Sequence, residues 1–279
     1  MNRHTKKRLA AWALSIVLLV VMLVINLPVI LTVINSFRPT LDILSGSTLV
    51  PKNVTLANYQ EVFGKTDFPR WFMNSVWISL ATTAITLIAS SLAGYSLSRY
   101  RTKVNTVYSN SLMVFQLFPL VLAIVALFVM FRLVGLIGTF VPAITLYVVM
   151  ALPFCTWMFK GFFDSIPREL EQAARVDGCT SFQAMIHIVV PLAGPGAAAV
   201  AIYAFLLAYN EYMVASAFLN TSKTLWTIPL GLRSFMQQYT TDWGGILAAS
   251  TLAVLPPLVM FLLVQKWMIK GMAAGAVKG

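Results

Sequence analysis

The segment ELEQAARVDGCTSFQAMIHIVVPLAGPG, Glu169 to Gly196, is the longest part of the chain that reads as an ordinary amphipathic segment of a soluble protein. It carries its own helix punctuation. Pro167 stands where a first helical turn tolerates a missing N–H. Glu169 and Glu171 complement the positive end of a helix dipole. Gly178 suits the left-handed residue that closes a helix. Thr180 and Gln183 have capping-box spacing for a second helix. That second helix runs through Ile186, Ile188 and Val189 to Pro191, where an apolar run begins. The expected pattern is a short helix, a glycine turn and a rigid helix leading straight into apolar sequence.

Outward from this segment the composition changes. Of 279 residues, 59% are hydrophobic and 10% are charged, against roughly 25% charged in soluble domains. A soluble chain of this length needs a charged surface that these residues do not supply, so lipid is the expected solvent. The net charge of +11 raises nucleic acid as a partner. The basic residues, however, cluster beside apolar runs and form no continuous patch, which is the pattern of membrane topology signals. Cys155 and Cys179 have no metal or redox spacing and read as two unpaired thiols.

A membrane helix needs about 20 apolar residues. Six runs qualify, at about 12–35, 74–97, 108–131, 139–162, 192–217 and 246–268, within a single domain of residues 1–279. The first follows MNRHTKKRL, but it is too long for a signal-peptide core and no A-x-A site follows, so it reads as an uncleaved helix. With the N-terminus inside, the cytoplasmic segments hold Arg3, Lys6, Lys7, Arg8, Arg99, Arg101, Lys103, Lys160, Arg168, Arg175, Lys266, Lys270 and Lys278. The outer segments hold only Arg38, Lys52, Lys65, Arg70, Arg132, Lys223 and Arg233. This bias puts both termini in the cytoplasm. The polar segment, about 165–190, then lies in the cytoplasm between spans four and five.

Three readings compete for it. It can be a connecting loop. It can be a DNA-binding helix-turn-helix, since Ala174 and Gly178 fit the tight turn of such motifs; but the second helix offers MIHIVV to a membrane span instead of base-reading side chains, which excludes nucleic acid. It can be a docking element for a cytoplasmic partner. Here the residues resemble the EAA signature of inner-membrane permease subunits of ABC importers: E-A-A, three residues, G, nine residues, I-x-L-P. The chain has Gln172-Ala173-Ala174, Gly178 and Ile188-Val189-Val190-Pro191 at that spacing. Gln172 replaces the glutamate and Val190 the leucine; Glu171 stands next to the first departure. Asn35-Ser-Phe-Arg-Pro39, Leu92-Ala-Gly-Tyr95 through Arg99, Tyr209-Asn210-Glu211-Tyr212, Thr227 through Leu232 and Ala274 through Gly279 are similar, in this order, to further motifs of the maltose-type subgroup.

The resemblance implies an all-α transmembrane fold with six spans and a cytoplasmic coupling helix between spans four and five. It implies a second permease subunit, two ATPase subunits inside that carry ATP and Mg, and an extracytoplasmic solute-binding protein. The chain itself would bind no cofactor and catalyse no reaction. Glu171, Gln172, Ala173, Ala174, Asp177, Gly178 and Pro191 would form the ATPase-coupling set, with Ala173, Ala174 and Gly178 allowing close backbone approach. The site of action would be a bacterial or archaeal plasma membrane, and the solute a sugar or sugar derivative. The same machine for a glycerol phosphodiester, a polyamine or an amino acid is an alternative. So is a stand-alone channel or ion-driven transporter, which calls for an inverted repeat that the sequence does not display.

Other motifs carry less. Gly64-Lys65-Thr66 lacks the upstream glycine of a phosphate loop, Tyr59 standing there. His4 and His187 are isolated, and no metal-ligand spacing or nucleophile–base pair occurs. Asn53-Val-Thr and Asn220-Thr-Ser match short sequons that arise by chance. Tyr59, Phe68, Trp71, Trp226, Tyr239 and Trp243 read as an interfacial aromatic belt or as a surface for the binding protein. Within the spans Asn26, Gln116, Asn210 and Glu211 are the notable polar groups. A carboxylate there needs a partner, a wet cavity or a proton. Gln116, Tyr209, Asn210 and Glu211 are therefore the solute-pathway candidates.

Overall fold

The computed structural model describes residues 3–46, 53–236 and 241–276, and side chains within 12–46, 53–236 and 241–268. Along the chain run α1 (Arg3–Ser36), α2 (Thr40–Ser45), α3 (Ala57–Lys65), α4 (Phe68–Arg99), α5 (Lys103–Leu117), α6 (Leu120–Leu133), α7 (Val141–Asp164) and α8 (Glu169–Val176). Then follow α9 (Ser181–Ala184), a π-helical turn (Met185–Val189), α10 (Val190–Leu192), α11 (Gly194–Asn210), α12 (Met213–Phe218), α13 (Ile228–Leu232), α14 (Trp243–Ala253) and α15 (Leu255–Ala276). The described residues contain no named strand. This suits lipid, where a helix satisfies every backbone group within its own segment.

The chain divides into two compact units. The first is Met1–Thr66 with Ser234–Leu252. In its α1 the apolar stretch Trp12–Ser36 buries none of its most apolar turns within the chain. Asn26 spends its amide on Met22 O at 2.8 Å, inside its own helix. Below α1, Asn58 of α3 donates to Ser36 O and Arg38 O, both at 2.8 Å, and the Ser36 and Tyr59 hydroxyls are 2.6 Å apart. The Asn35–Pro39 motif thus anchors α3.

The second unit is Asp67–Arg233 with Ala253–Gly279. Its α4 and α7 run side by side, α11 packs on both, and α15 packs on α11. Between apolar helices in lipid, close packing and interhelical hydrogen bonds supply the association. Gly94 shows the closeness: a Cβ there would meet Phe159 Cβ at 2.7 Å and Thr156 O at 3.0 Å. One core forms around Phe159, Phe163, Met185 and Val189. Another forms around Ile78, Tyr147, Phe218 and Leu219. The segment before α13 is pinned to the start of α4. Asn74 donates to Thr224 O and Trp226 O at 2.9 Å, and Ile228 N donates to Ser75 Oγ at 2.7 Å.

The structure departs from the sequence expectations in four places. The run 108–131 is not one helix: α5 and α6 meet at 98°. Pro119 drives Phe118 into extended backbone, with φ −77° and ψ 119°, because a residue before proline is crowded out of the helical region. The polar segment does not feed a collinear span either, since Ser181–Leu192 and Gly194–Asn210 meet at 77° where Gly194-Pro195 interrupts the helix. The fifth run also stops at Asn210 and not near 217. Phe68 and Trp71 are no exposed belt; they are 2% and 3% exposed, with the Trp71 ring 5.8 Å from that of Trp226. Tyr239 lies outside the described residues. Four helices, Trp12–Ser36, Phe68–Arg99, Val141–Asp164 and Trp243–Met268, are each long and apolar enough to cross a membrane, and the two bent pairs raise the number to six if each is one span.

Candidate functional site

The polar segment folds as its punctuation dictates. Glu169 and Glu171 sit in the first turn of α8. The helix ends at Gly178, whose φ is +92°, and a Cβ at Gly178 would touch nothing within 4 Å. The glycine is therefore required by its backbone angle, not by crowding. Thr180 and Gln183 form the capping box reciprocally: Gln183 N donates to Thr180 Oγ1 at 3.3 Å and Thr180 N donates to Gln183 Oε1 at 2.8 Å.

The Glu171 side chain turns inward. It pairs with Arg99 Nε of α4 and accepts from the Tyr95 hydroxyl at 2.7 Å. The two ion-pair side chains are 7% and 9% exposed. Arg99 also donates to Phe163 O, in the last turn of α7, at 2.9 Å and to Ile166 O, just beyond it, at 3.2 Å. Ser98 Oγ donates to Asp164 at 2.6 Å, Lys160 pairs with Asp164 at 2.6 Å, and Arg168 Nη2 donates to Ser98 O at 2.9 Å. The end of α4, the end of α7 and the start of α8 thus share one polar knot. A buried charge pair is tolerated because further donors satisfy its remaining lone pairs.

The other residues singled out from the sequence fall in different places. Gln172 and Ala173 are exposed, as is Asp177. Ala174 is 5% exposed and packs inside its own unit, so it is not a small residue held open for a partner. Val176 is 88% and Phe182 60% exposed on the outer side of the two helices. Pro191 is exposed at the bend before α11. Gln116 is exposed on α5, ahead of the 98° bend. The Tyr209 hydroxyl is spent on Ala253 O at 2.9 Å, and its ring stacks on Phe205 at 5.5 Å. Asn210 is exposed and donates to Leu206 O at 2.9 Å. The Glu211 carboxylate accepts from the N–H groups of Met213, Val214 and Ala215 at 2.8, 2.9 and 3.3 Å. The partner that an intramembrane carboxylate needs is therefore the start of α12.

The sequence motifs named Arg99, Tyr95 and Glu171, but separately. Their meeting was not legible, because nothing in one sequence links residues 72 positions apart.

The fold and the knot together give an apolar helical chain in which the amphipathic α8 is tied to the ends of α4 and α7. Residues 85–274 match the inner membrane components of binding-protein-dependent transport systems, and the chain belongs to that family. It is 35% identical to the permease protein of the sulfoquinovosyl glycerol transport system of Agrobacterium fabrum, over 83% of this chain and 81% of that one. It is 30% identical, over the full length of both, to the permease protein of the arabinooligosaccharides transport system of Halalkalibacterium halodurans. Among solved structures, a bacterial ABC transporter involved in the import of the acidic polysaccharide alginate contains a chain of the same fold. The TM-score is 0.76 at 18% identity, covering 95% of this chain and 98% of that one.

Proposed function

We propose that the chain is one permease half of an ATP-driven, binding-protein-dependent importer of a sugar or oligosaccharide. Residues 1–279 act as one permease domain with six spans, each bent pair counting as one, and both termini in the cytoplasm of a bacterial or archaeal plasma membrane. A second permease subunit completes the pathway. Two ATPase subunits, which hold ATP and Mg, dock from inside, and an extracytoplasmic binding protein delivers the solute. The knot around Arg99 and Glu171 is the observation that carries this reading. A loop that merely connected two spans would have no need of a buried ion pair to the end of α4 and of hydrogen bonds from the same arginine to the end of α7. The outer side of α8, with Ala173, Val176 and Asp177 exposed, is then the docking face. The sugar class is supported by the saccharide systems named for the relatives.

Mechanically, ATPase closure moves α8. Glu171 and Arg99 pass that motion to α4 and α7, while the bend at Gly194 lets α11 respond without following rigidly. Asn210 and Gln116, exposed near interrupted helices, are the solute-facing candidates on this side, and Glu211 shapes the break after α11. The experiment is uptake of labelled oligosaccharide into vesicles holding both permeases, with binding protein and ATP, with and without the ATPase subunit. Uptake that persists without the ATPase points to a channel or ion-driven carrier. Single cysteines at Lys65 and Trp226, against Arg101 and Gly178, probed with an impermeant thiol reagent in a background lacking Cys155 and Cys179, test the orientation.

A further inference from the structure

The side of α8 that faces α4 lines an open cavity of about 220 Å3, whose walls include Arg99, Tyr100, Arg168, Glu171, Gln172 and Arg175. Arg168, Glu171, Gln172 and Arg175 share one wall because residues three and four apart stack on the same helix face. Ala173 and Asp177 lie on the opposite side of α8, with Val176 between the two faces.

Its charges do not balance. Three arginines meet one carboxylate, and that carboxylate is already held by Arg99 and Tyr95. Arg168 donates to Ser98 O at 2.9 Å and Arg175 to Ser181 Oγ at 2.7 Å. Neither lies within ion-pair distance of a carboxylate among the described residues. Gln172 deepens the imbalance. A glutamate at this position, as in the motif that the segment resembles, would add a counter-charge to the same wall; the amide leaves two positive charges and offers N–H donors of its own.

We propose that this cavity is an anion site that takes a phosphate group, borne either by a soluble phosphate ester or by a lipid headgroup. A phosphate dianion matches the two uncompensated charges. Guanidinium groups present paired N–H donors to phosphate oxygens, and the Tyr100 hydroxyl and the Gln172 amide serve the remaining oxygen. Because its walls come from both α4 and α8, an occupant tightens the junction that the Arg99–Glu171 pair already makes. The cytoplasmic placement of the cavity rests on the orientation proposed above; the binding claim does not.

The test uses the assembled transporter in nanodiscs. In one arm glycerol 3-phosphate is titrated into discs of neutral lipid and followed by calorimetry. In the other, discs containing phosphatidic acid are compared with neutral discs by native mass spectrometry for retained lipid. Arg175→Gln, at an exposed residue, and Gln172→Glu, which supplies the missing counter-charge, each weaken binding about tenfold or more, while Arg175→Lys, which keeps the charge but not the paired donors, loses less than Arg175→Gln. Binding in the first arm assigns a soluble ester and retention only in the second assigns a lipid. If neither probe binds the parent, or if Arg175→Gln and Gln172→Glu bind as the parent does, the proposal is overturned.

Discussion

Replacing Glu171 with glutamine keeps the size of the side chain and removes its charge. Arg99 retains its bonds to Phe163 O and Ile166 O, but a guanidinium that is 7% exposed loses its counter-ion. Removing one member of a buried pair costs about 3–5 kcal/mol. Glutamine still accepts one N–H and a cavity adjoins the pair, so the low end applies, about 3 kcal/mol. That shifts the balance between attached and detached α8 by about two orders of magnitude. Hydrogen exchange on the assembled complex reads this directly: amides of 169–176 speed up by about a hundredfold while those of α7 hold. ATP hydrolysis continues, and solute moved per ATP falls. A cycle with Arg99→Met then shows strong non-additivity, since the first substitution has already dissolved the pair. If exchange in α8 stays within about twofold of the parent, and the cycle is additive, the knot does not hold the helix and the coupling argument fails.

Gly178→Leu forces a left-handed residue to carry a side chain, costing about 1–2 kcal/mol with no clash; the subunit inserts normally, and loss of coupled uptake with retained copurification of the ATPase is the expected readout. Gly94→Val drives a side chain into Phe159 Cβ and the backbone of α7 and lowers stability by about 1–3 kcal/mol, seen as a lower melting temperature of the purified subunit, with Gly94→Ala lowering it less. Glu211→Ala removes the acceptor of three N–H groups and destabilises by about 1–2 kcal/mol, whereas Glu211→Gln keeps one acceptor and much of the uptake; an assembled Gln variant that melts like the parent but does not transport would instead make Glu211 a direct solute contact.

What could be read from the sequence follows physical range. The lipid solvent, the long apolar helices and the capping chemistry of Thr180 and Gln183 are set by composition and by neighbours within a few residues. Pro119 and Gly194-Pro195 are local signals too, yet apolar counting runs straight across them; weighting proline as a helix breaker finds both bends. The sidedness of α8 was harder. Ala174 and Glu171 look like surface residues of a polar helix, and only the long-range partners Tyr95 and Arg99 turn the Glu171 side chain inward. An apolar run counted on to 217 makes Glu211 an intramembrane charge; its capping role depends on the chain leaving the helix at that residue.

The polar knot also has a birth order. Arg99 and Glu171 are 72 residues apart, and ribosomes add about 5–20 residues per second. Once α4 has emerged, its arginine therefore waits about 4–14 seconds for its carboxylate. During that interval α4 and α7 can enter the bilayer, but the guanidinium has no counter-ion and must stay wet at the membrane surface. Clamping is then the last local step of biogenesis, and a subunit truncated between α7 and α8 presents to the cell's proteases an end that a finished one has closed.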